Sequence, residues 1–395
     1  MDTDLSRQTI LPELDEDGAE GLERAADRKR FDPIGTLGMG GLGEVLAARD
    51  LDIGRRVAIK RMRRDRASTA AVVRFVQEVR TAGSLDHPNI VPIYDVGHEE
   101  DGTYYFVMKY VDGETLESLI GRLARGDGEA HRVWTVERRL ALYVQILHAV
   151  AFAHGQGVLH RDLKPANVML GRHGEVQLLD WGVAKRRSDG KPDADTVVDG
   201  SDSDWAGSVS GRTTDTRAGS LVGTPRYMAP EQARGEVADE RSETYTLALI
   251  LYELLALEHP RGKVDQVAEV LAAAQKPVPL IGLLPHSGAR SMQAPIPSEL
   301  VWFLADGLSL DRAQRFATVI DMVRFFERRA EGQLDVRCPQ TAKKSFLLRV
   351  TRWVERYPWS TTFGLAAAVV GGVAAVAGAT AAAIGAVAGV VIAVT

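Results

Sequence analysis

The chain has 395 residues, enough for one large two-lobed domain or two of average size, with 26% charged and 45% apolar residues. A net charge of −5 offers no electrostatic footprint for nucleic acid, and the single cysteine, Cys338, excludes an intrachain disulfide and suits a reducing compartment. The acidic, polar start (Asp2, Asp4, Glu13, Asp15, Glu16, Asp17) lacks the basic, apolar opening of a secretory signal.

In chain order, residues 1–29 predict an acidic disordered arm, with few aromatic or β-branched residues to bury. From Phe31 the pattern is strand-like: Phe31 to Leu37, a glycine turn, Glu44 to Arg49, then Arg56 to Met62. Residues 68–84 carry helical spacing, with Val72, Phe75, Val76 and Val79 on one face. Two further strands are expected near Ile90–Val96 and Tyr104–Tyr110. Beyond Asp112 helices dominate, the longest from Val136 to Gln156 with Leu140, Tyr143, Val144, Leu147, Val150 and Ala151 as its apolar stripe. The order predicts an α+β class, a small strand-first lobe followed by a large helical lobe. Residues 186–220, poor in apolar side chains, predict a long surface loop. Residues 333–360 read as a basic, aromatic connector into an uncharged run, 361–395.

The residues from Gly38 to Val45 fit G-x-G-x-x-G-x-V, with Gly38, Gly40 and Gly43 at the glycine positions. Glycines let backbone N–H groups approach phosphates where a Cβ would clash. A dinucleotide site needs a helix directly after such glycines. Here a strand, a turn and Val57-Ala58-Ile59-Lys60 follow instead. Lys60 is a point cation suited to phosphates, and in an apolar strand it needs a partner, for which Glu78 on the 68–84 helix is the candidate. The run His160-Arg161-Asp162-Leu163-Lys164-Pro165-Ala166-Asn167, with Asp180-Trp181-Gly182 after it, brings an asparagine and two aspartates to spacings suited to a nucleotide phosphate and Mg²⁺ beside a hydroxyl acceptor.

In this combination the chain resembles the bacterial, eukaryotic-like Ser/Thr protein kinases over roughly residues 30–332. The resemblance implies a two-lobed kinase fold, with an N-lobe over 30–110 and a C-lobe over 111–332. It implies ATP with Mg²⁺, or Mn²⁺ in its place, and protein substrates bearing Ser or Thr. Asp162 then orients the substrate hydroxyl, Asn167 and Asp180 hold the metal, Lys164 stands near the γ-phosphate, and Lys60 with Glu78 completes the catalytic set. Leu37, Gly38, Gly40, Gly43, Val45, Ala58, Lys60, Met108, Lys109 and Val111 line the nucleotide site, the backbone of Lys109 and Val111 meeting adenine. Gly223 to Glu231 resembles the peptide-docking segment, with Glu231 anchored by Arg315. No nucleic-acid partner is expected.

Four positions depart from the family pattern. Trp181 replaces phenylalanine in the metal-binding turn, where the aromatic sets active or inactive packing. Glu243 and Ala248 stand where aspartate and glycine are usual, and Lys109 replaces a common acidic residue. That aspartate supports the catalytic-loop backbone; one added methylene is absorbed or displaces the loop, and a displacement of about 1 Å costs about 10²-fold in rate. An alternative of a different class stays open, an ATP-binding, kinase-like scaffold with weak or no catalysis. In the long segment before Glu231, Thr213, Thr214, Thr216 and Ser220 are the candidate phosphate acceptors, with Arg161 as the residue to pair with such a phosphate.

A helix needs about 20 apolar residues to cross a bilayer, so residues 361–395 predict one tilted span, two passes requiring a turn of almost no length. Basic residues before it (Arg337, Lys343, Lys344, Arg349, Arg352, Arg356) keep the kinase region cytoplasmic by the positive-inside rule, at an inner membrane, and Trp353, Tyr357 and Trp359 suit the interfacial belt. Gly364, Gly371, Gly378 and Gly385 recur every seven residues, a small-residue face that would permit a homodimer. No extracellular sensor is expected after the span.

Overall fold

The computed structural model describes residues 29–39, 43–63, 69–99, 102–182, 184–186, 224–262, 266–333 and 336–356. Residues 1–28 of the predicted arm over 1–29, Gly40, the phosphate-acceptor candidates from Thr213 to Ser220, and the uncharged run 361–395 all lie outside the described residues. The chain divides into two compact units, residues 1–326 and 327–395.

The first unit opens with an antiparallel sheet in the order β1-β2-β3-β5-β4: β1 (Phe31–Met39), β2 (Gly43–Asp50), β3 (Arg55–Met62), β4 (Ile93–His98) and β5 (Tyr104–Lys109). Arg30 anchors its start, donating to Asp50 and Asp95 at 3.0–3.1 Å. One face buries Phe31, Ala48, Val57, Ile59, Tyr105 and Val107. On the other, Met62 and Phe106 receive Ala71 and Phe75 of helix α1 (Thr69–Gly83). The strand expected near Ile90 begins at Ile93; Ile90 instead bridges to Leu178, outside the sheet.

The large lobe follows with β6 (Gly113–Thr115), α2 (Leu116–Ala124), α3 (Gly128–Val133), α4 (Val136–Gly155), β7 (Val158–Leu159), β8 (Val168–Gly171), β9 (Val176–Leu178) and β10 (Lys185–Arg186). After the 224–229 segment come α5 (Pro230–Ala233), α6 (Glu240–Ala256), α7 (Val267–Ala274), α8 (Ser298–Gly307) and α9 (Val319–Ala330). Side-chain oxygens start several helices, Thr115 accepting from the Ser118 N–H and Thr135 from the Arg138 N–H. Asp239 and Ser242 cap α6 reciprocally, and the helix ends at Leu257 with φ +60°.

Helix α6 organises this lobe. Every residue from Ser242 to Ala256 is buried, so the helix has no solvent face and its polar members must find partners inside. They do: Thr246 donates to Tyr227 O at 3.0 Å, Thr244 to Arg241 O at 2.9 Å, and the Tyr227 hydroxyl to Glu253 at 2.6 Å. Ala248 meets Gly307 of α8, where a Cβ would stand 2.8 Å from the Ala248 methyl. The methyl present at 248 is thus matched by its absence at 307.

Arg139 interrupts the apolar reading of α4. Fully buried, it donates to Leu254 O at 2.7 Å and Gln293 Oε1 at 2.6 Å, and burial draws its guanidinium down to about 10. The second unit contains α10 (Pro339–Arg356), so most of the segment read as a connector is helical. Among the described residues no helix is long and apolar enough to cross a membrane.

Candidate active site

The β2–β3 register sets Val45 opposite Lys60. Ala58 is buried beside it, and Leu37 and Gly38 on β1 are exposed. From β3 the Lys60 ammonium reaches Glu78 Oε1 of α1 at 2.6 Å and Asp180 Oδ1 at 3.3 Å. Burial acts to lower this ammonium, but the charges of Glu78 and Asp180 outweigh it and hold Lys60 above its ordinary value. The same contact holds the Asp180 carboxyl below its ordinary value, against the opposing effect of burial. The expected Lys60–Glu78 pair is therefore formed, and Asp180 stands beside it.

The glycines divide by physical role. A Cβ on Gly43 would lie 2.4 Å from Arg61 O, so the β2–β3 pairing itself requires glycine there. A Cβ on Gly38 would meet nothing within 4 Å. Among the described residues no atom demands glycine at 38. At the lobe junction Met108 and Lys109 are half-buried and Val111 is buried. The Lys109 N–H donates to Pro92 O at 3.2 Å.

The catalytic-loop residues lie between β7 and β8. Arg161 adopts φ +66°, a conformation rare for a side-chain-bearing residue. Glu243 of α6 stabilises it, its Oε1 accepting the Arg161 N–H at 2.6 Å while its Oε2 meets His154 Nε2 of α4 at 2.6 Å. Burial pushes the Glu243 carboxyl up, yet His154 and the Arg161 N–H together hold it below 4.5. The longer acid is absorbed: the extra methylene reaches both partners. His160 Nε2 meets Leu179 O at 3.0 Å, and the Leu179 N–H donates to Asn167 O at 2.8 Å, tying the loop to the residue before Asp180.

Asp162 is 9% exposed and fully engaged. Its Oδ1 accepts from the Thr224 N–H and Oγ1, both at 2.9 Å; its Oδ2 accepts from Lys164 Nζ at 2.7 Å and Asn167 Nδ2 at 3.3 Å. Lys164 also donates to Thr224 Oγ1 at 2.9 Å. Asp162, Lys164, Asn167 and Thr224 thus form one cluster. Asp180 has φ +60°. Trp181 is buried against the His160 ring, centroids 4.6 Å apart, and among the described residues its Nε1 finds no hydrogen-bond partner. At Gly182 a Cβ would stand 3.1 Å from Glu78 Oε2 and 3.3 Å from Asp180 Oδ1, so a side chain there would crowd two carboxylates.

The 224–231 segment is anchored from α6 and beyond. Arg315 grips Glu231 with two bonds of 2.8 and 3.0 Å, both side chains essentially unexposed, and Ser242 donates to Glu231 at 2.6 Å. Arg261 donates to Arg226 O, Met228 O and the Tyr245 hydroxyl at 2.8–3.0 Å.

The residues present fit a magnesium nucleotide. Asn167 and Asp180 offer an amide and a carboxylate oxygen, hard donors, and the Asp180 side chain keeps 43% of its surface accessible. Among the described residues no three His, Cys, Asp or Glu side chains form a metal site of their own. One or two protein oxygens completed by phosphates and water is how Mg²⁺ is commonly held.

Sequence reasoning missed Thr224, His154 and Arg261. Thr224 touches Asp162 from 62 residues' separation, and His154 touches the loop-supporting Glu243 from 89. For α6 a usable signal was present: the stretch Leu247 to Ala256 is apolar apart from Tyr252 and Glu253, too apolar all round for a helix with a solvent face.

Fold and site together define a two-lobed scaffold in which Lys60, Glu78 and Asp180 meet near a cluster of Asp162, Lys164 and Asn167. The protein kinase domain family matches residues 31–324. The chain belongs to the protein kinase domain family. It is 34% identical over 312 residues to the serine/threonine-protein kinase PknD of Protochlamydia amoebophila, covering 77% of this chain and 30% of the relative. It is 38% identical over 245 residues to a probable serine/threonine-protein kinase of Streptomyces coelicolor, covering 61% and 32%. PknD of Chlamydia trachomatis serovar D is 33% identical over 310 residues, covering 77% and 32%. The matched region spans about a third of the length of these curated relatives.

Proposed function

We propose that this chain is an ATP- and Mg²⁺-dependent kinase that phosphorylates Ser and Thr hydroxyls of proteins. The observation that carries the reading is the closed Lys60–Glu78 pair at 2.6 Å with Asp180 beside it at 3.3 Å. This arrangement presents one cation to phosphates and one carboxylate to a metal. When bound, Mg²⁺ supplies charge neutralisation at the phosphates. Lys60 grips the phosphates, Asn167 and Asp180 hold the metal, and the lobe-junction backbone of Lys109 and Val111 receives adenine between Leu37, Val45, Ala58 and Met108. Gly38, Gly40 and Gly43 form the phosphate loop.

An incoming hydroxyl takes the place of Thr224 at Asp162 Oδ1, where the carboxylate orients it and accepts its proton. Lys164, already against Oδ2 at 2.7 Å, offers its charge to the transferring group. Positioning and electrostatics supply most of the acceleration in this chemistry. Autophosphorylation falls in Thr213, Thr214, Thr216 or Ser220, with Arg161 as the phosphate's partner. Residues 361–395 tether the chain to an inner membrane as a single pass, the kinase region facing the cytoplasm, with the recurring glycines favouring a dimer.

Radiolabelled phosphate transfer from ATP to the chain and to a generic basic protein tests the reading, with Asp162→Asn as control. Wild-type transfer no higher than the variant's would overturn it in favour of an ATP-binding scaffold. Mass spectrometry after incubation with Mg-ATP locates the acceptors, and alkaline carbonate extraction of membranes tests the tether.

A further inference from the structure

Helix α10 has features that neither a connector nor a core helix requires. Its start is built locally: the Thr341 Oγ1 accepts the Arg337 and Cys338 N–H groups, both at 3.0 Å, and donates to Cys338 O at 2.9 Å. Its 18 residues extend about 27 Å. Thr341 and Ser345 are buried, at 0% and 2% exposed. Phe346 and Leu347 are 65% and 54% exposed. Two large adjacent apolar side chains in water are unfavourable unless another surface receives them.

In the sequence, positions 346, 347, 350, 353 and 354 are Phe, Leu, Val, Trp and Val, the i, i+4, i+7 recurrence of an amphipathic pattern. Lys343 stands one turn before them on the same side, with Lys344 and Arg349 at its flanks by position. The helix holds five basic residues (Lys343, Lys344, Arg349, Arg352, Arg356) against one acidic, Glu355. An apolar stripe edged by cations, on a helix too charged to enter hydrocarbon, is the composition of a helix lying in a membrane interface. Each basic residue near an anionic surface adds attraction of about 1 kcal/mol.

We infer that α10 lies flat on an anionic lipid bilayer, with Phe346 and Leu347 immersed among the acyl chains. The occupant is chosen by charge complementarity: a helix with an excess of four positive charges matches an anionic headgroup layer. The inference builds on the membrane tether but is separable from it, because it concerns a surface-bound helix and predicts dependence on lipid charge.

The test uses the full chain with Cys338→Ser and Leu347→Cys, spin-labelled at 347 and reconstituted into phosphatidylcholine vesicles with or without phosphatidylglycerol. The label is expected about 5–10 Å below the headgroups in the anionic vesicles and water-exposed in the neutral ones or at high salt. A label that stays water-exposed in both would overturn the inference, as would equal immersion in both. Shielding that rises with protein concentration in detergent without lipid would assign the face to a second copy of the chain and also overturn it. Carbonate extraction run in parallel reports the tether. A chain that carbonate releases, yet whose label is immersed in anionic vesicles, defeats the single-pass reading while supporting the interfacial helix.

Discussion

Glu243 holds the Arg161 N–H at 2.6 Å across 82 residues of sequence, and Arg161 is the residue whose φ of +66° turns the chain into Asp162. A left-handed conformation at a non-glycine residue persists only where surroundings enforce it. Here a buried helix supplies a carboxylate that is itself braced by His154. An acid one methylene longer than the family's usual aspartate therefore performs the same task, with its second oxygen used for the brace.

Glu243→Ala is accordingly expected to lower kcat by about 10²-fold, the effect of a loop shift of roughly 1 Å. ATP affinity should change little, because Lys60, Glu78 and Asp180 do not contact Glu243. Steady-state kinetics with a parallel nucleotide titration checks this. An unchanged kcat would remove Glu243 from the support of the loop.

Arg315→Ala leaves the Glu231 carboxylate buried with only Ser242 as a side-chain partner. Breaking a buried pair from one side costs about 3–5 kcal/mol, a loss that urea unfolding followed by circular dichroism should register. Arg315→Lys should recover part of it, since an ammonium cannot reproduce the two-bond grip at 2.8 and 3.0 Å.

The two described loop glycines should separate cleanly. Gly43→Ala places a methyl 2.4 Å from Arg61 O and should cost about 1–3 kcal/mol through strand displacement. Gly38→Ala meets no protein atom within 4 Å and should leave Tm unchanged while raising KM for ATP. Equal effects of both on Tm would remove the distinction.

His259 sets an acid limit. Its Nδ1 accepts the Arg261 N–H at 3.2 Å, and burial, with Arg226 and Arg261, pulls the imidazole down to about 2. The folded state keeps it neutral, whereas the unfolded chain takes up a proton below the ordinary value of 6.5. Its contribution is therefore complete above pH 6.5 and is lost as pH falls. Between pH 6.5 and about 5, above the carboxylate range, the slope should approach 1.4 kcal/mol per pH unit. Urea midpoints across that range should show this slope, and His259→Phe should flatten it.

Much of the site was legible because its chemistry is local. The spacing from Asp162 to Asn167 to Asp180 and the apolar strand ending in Lys60 are properties of short stretches, as are the alternations that predicted the five-stranded sheet and α1. By itself the sequence determined which residues are candidates for the reaction and in which order the two lobes are built. It left the departures undecided at Trp181, Glu243 and Ala248. Only the tertiary structure decided those: Trp181 fits against His160, Glu243 reaches Arg161 and His154, and Ala248 faces a glycine, Gly307, on another helix. It also brought Thr224 onto Asp162 and put the cation Arg139 in the core. The physical reason is common to all of them. Each depends on residues 21 to 154 positions apart in sequence meeting in the fold, and neither spacing nor periodicity encodes which distant group will be the partner.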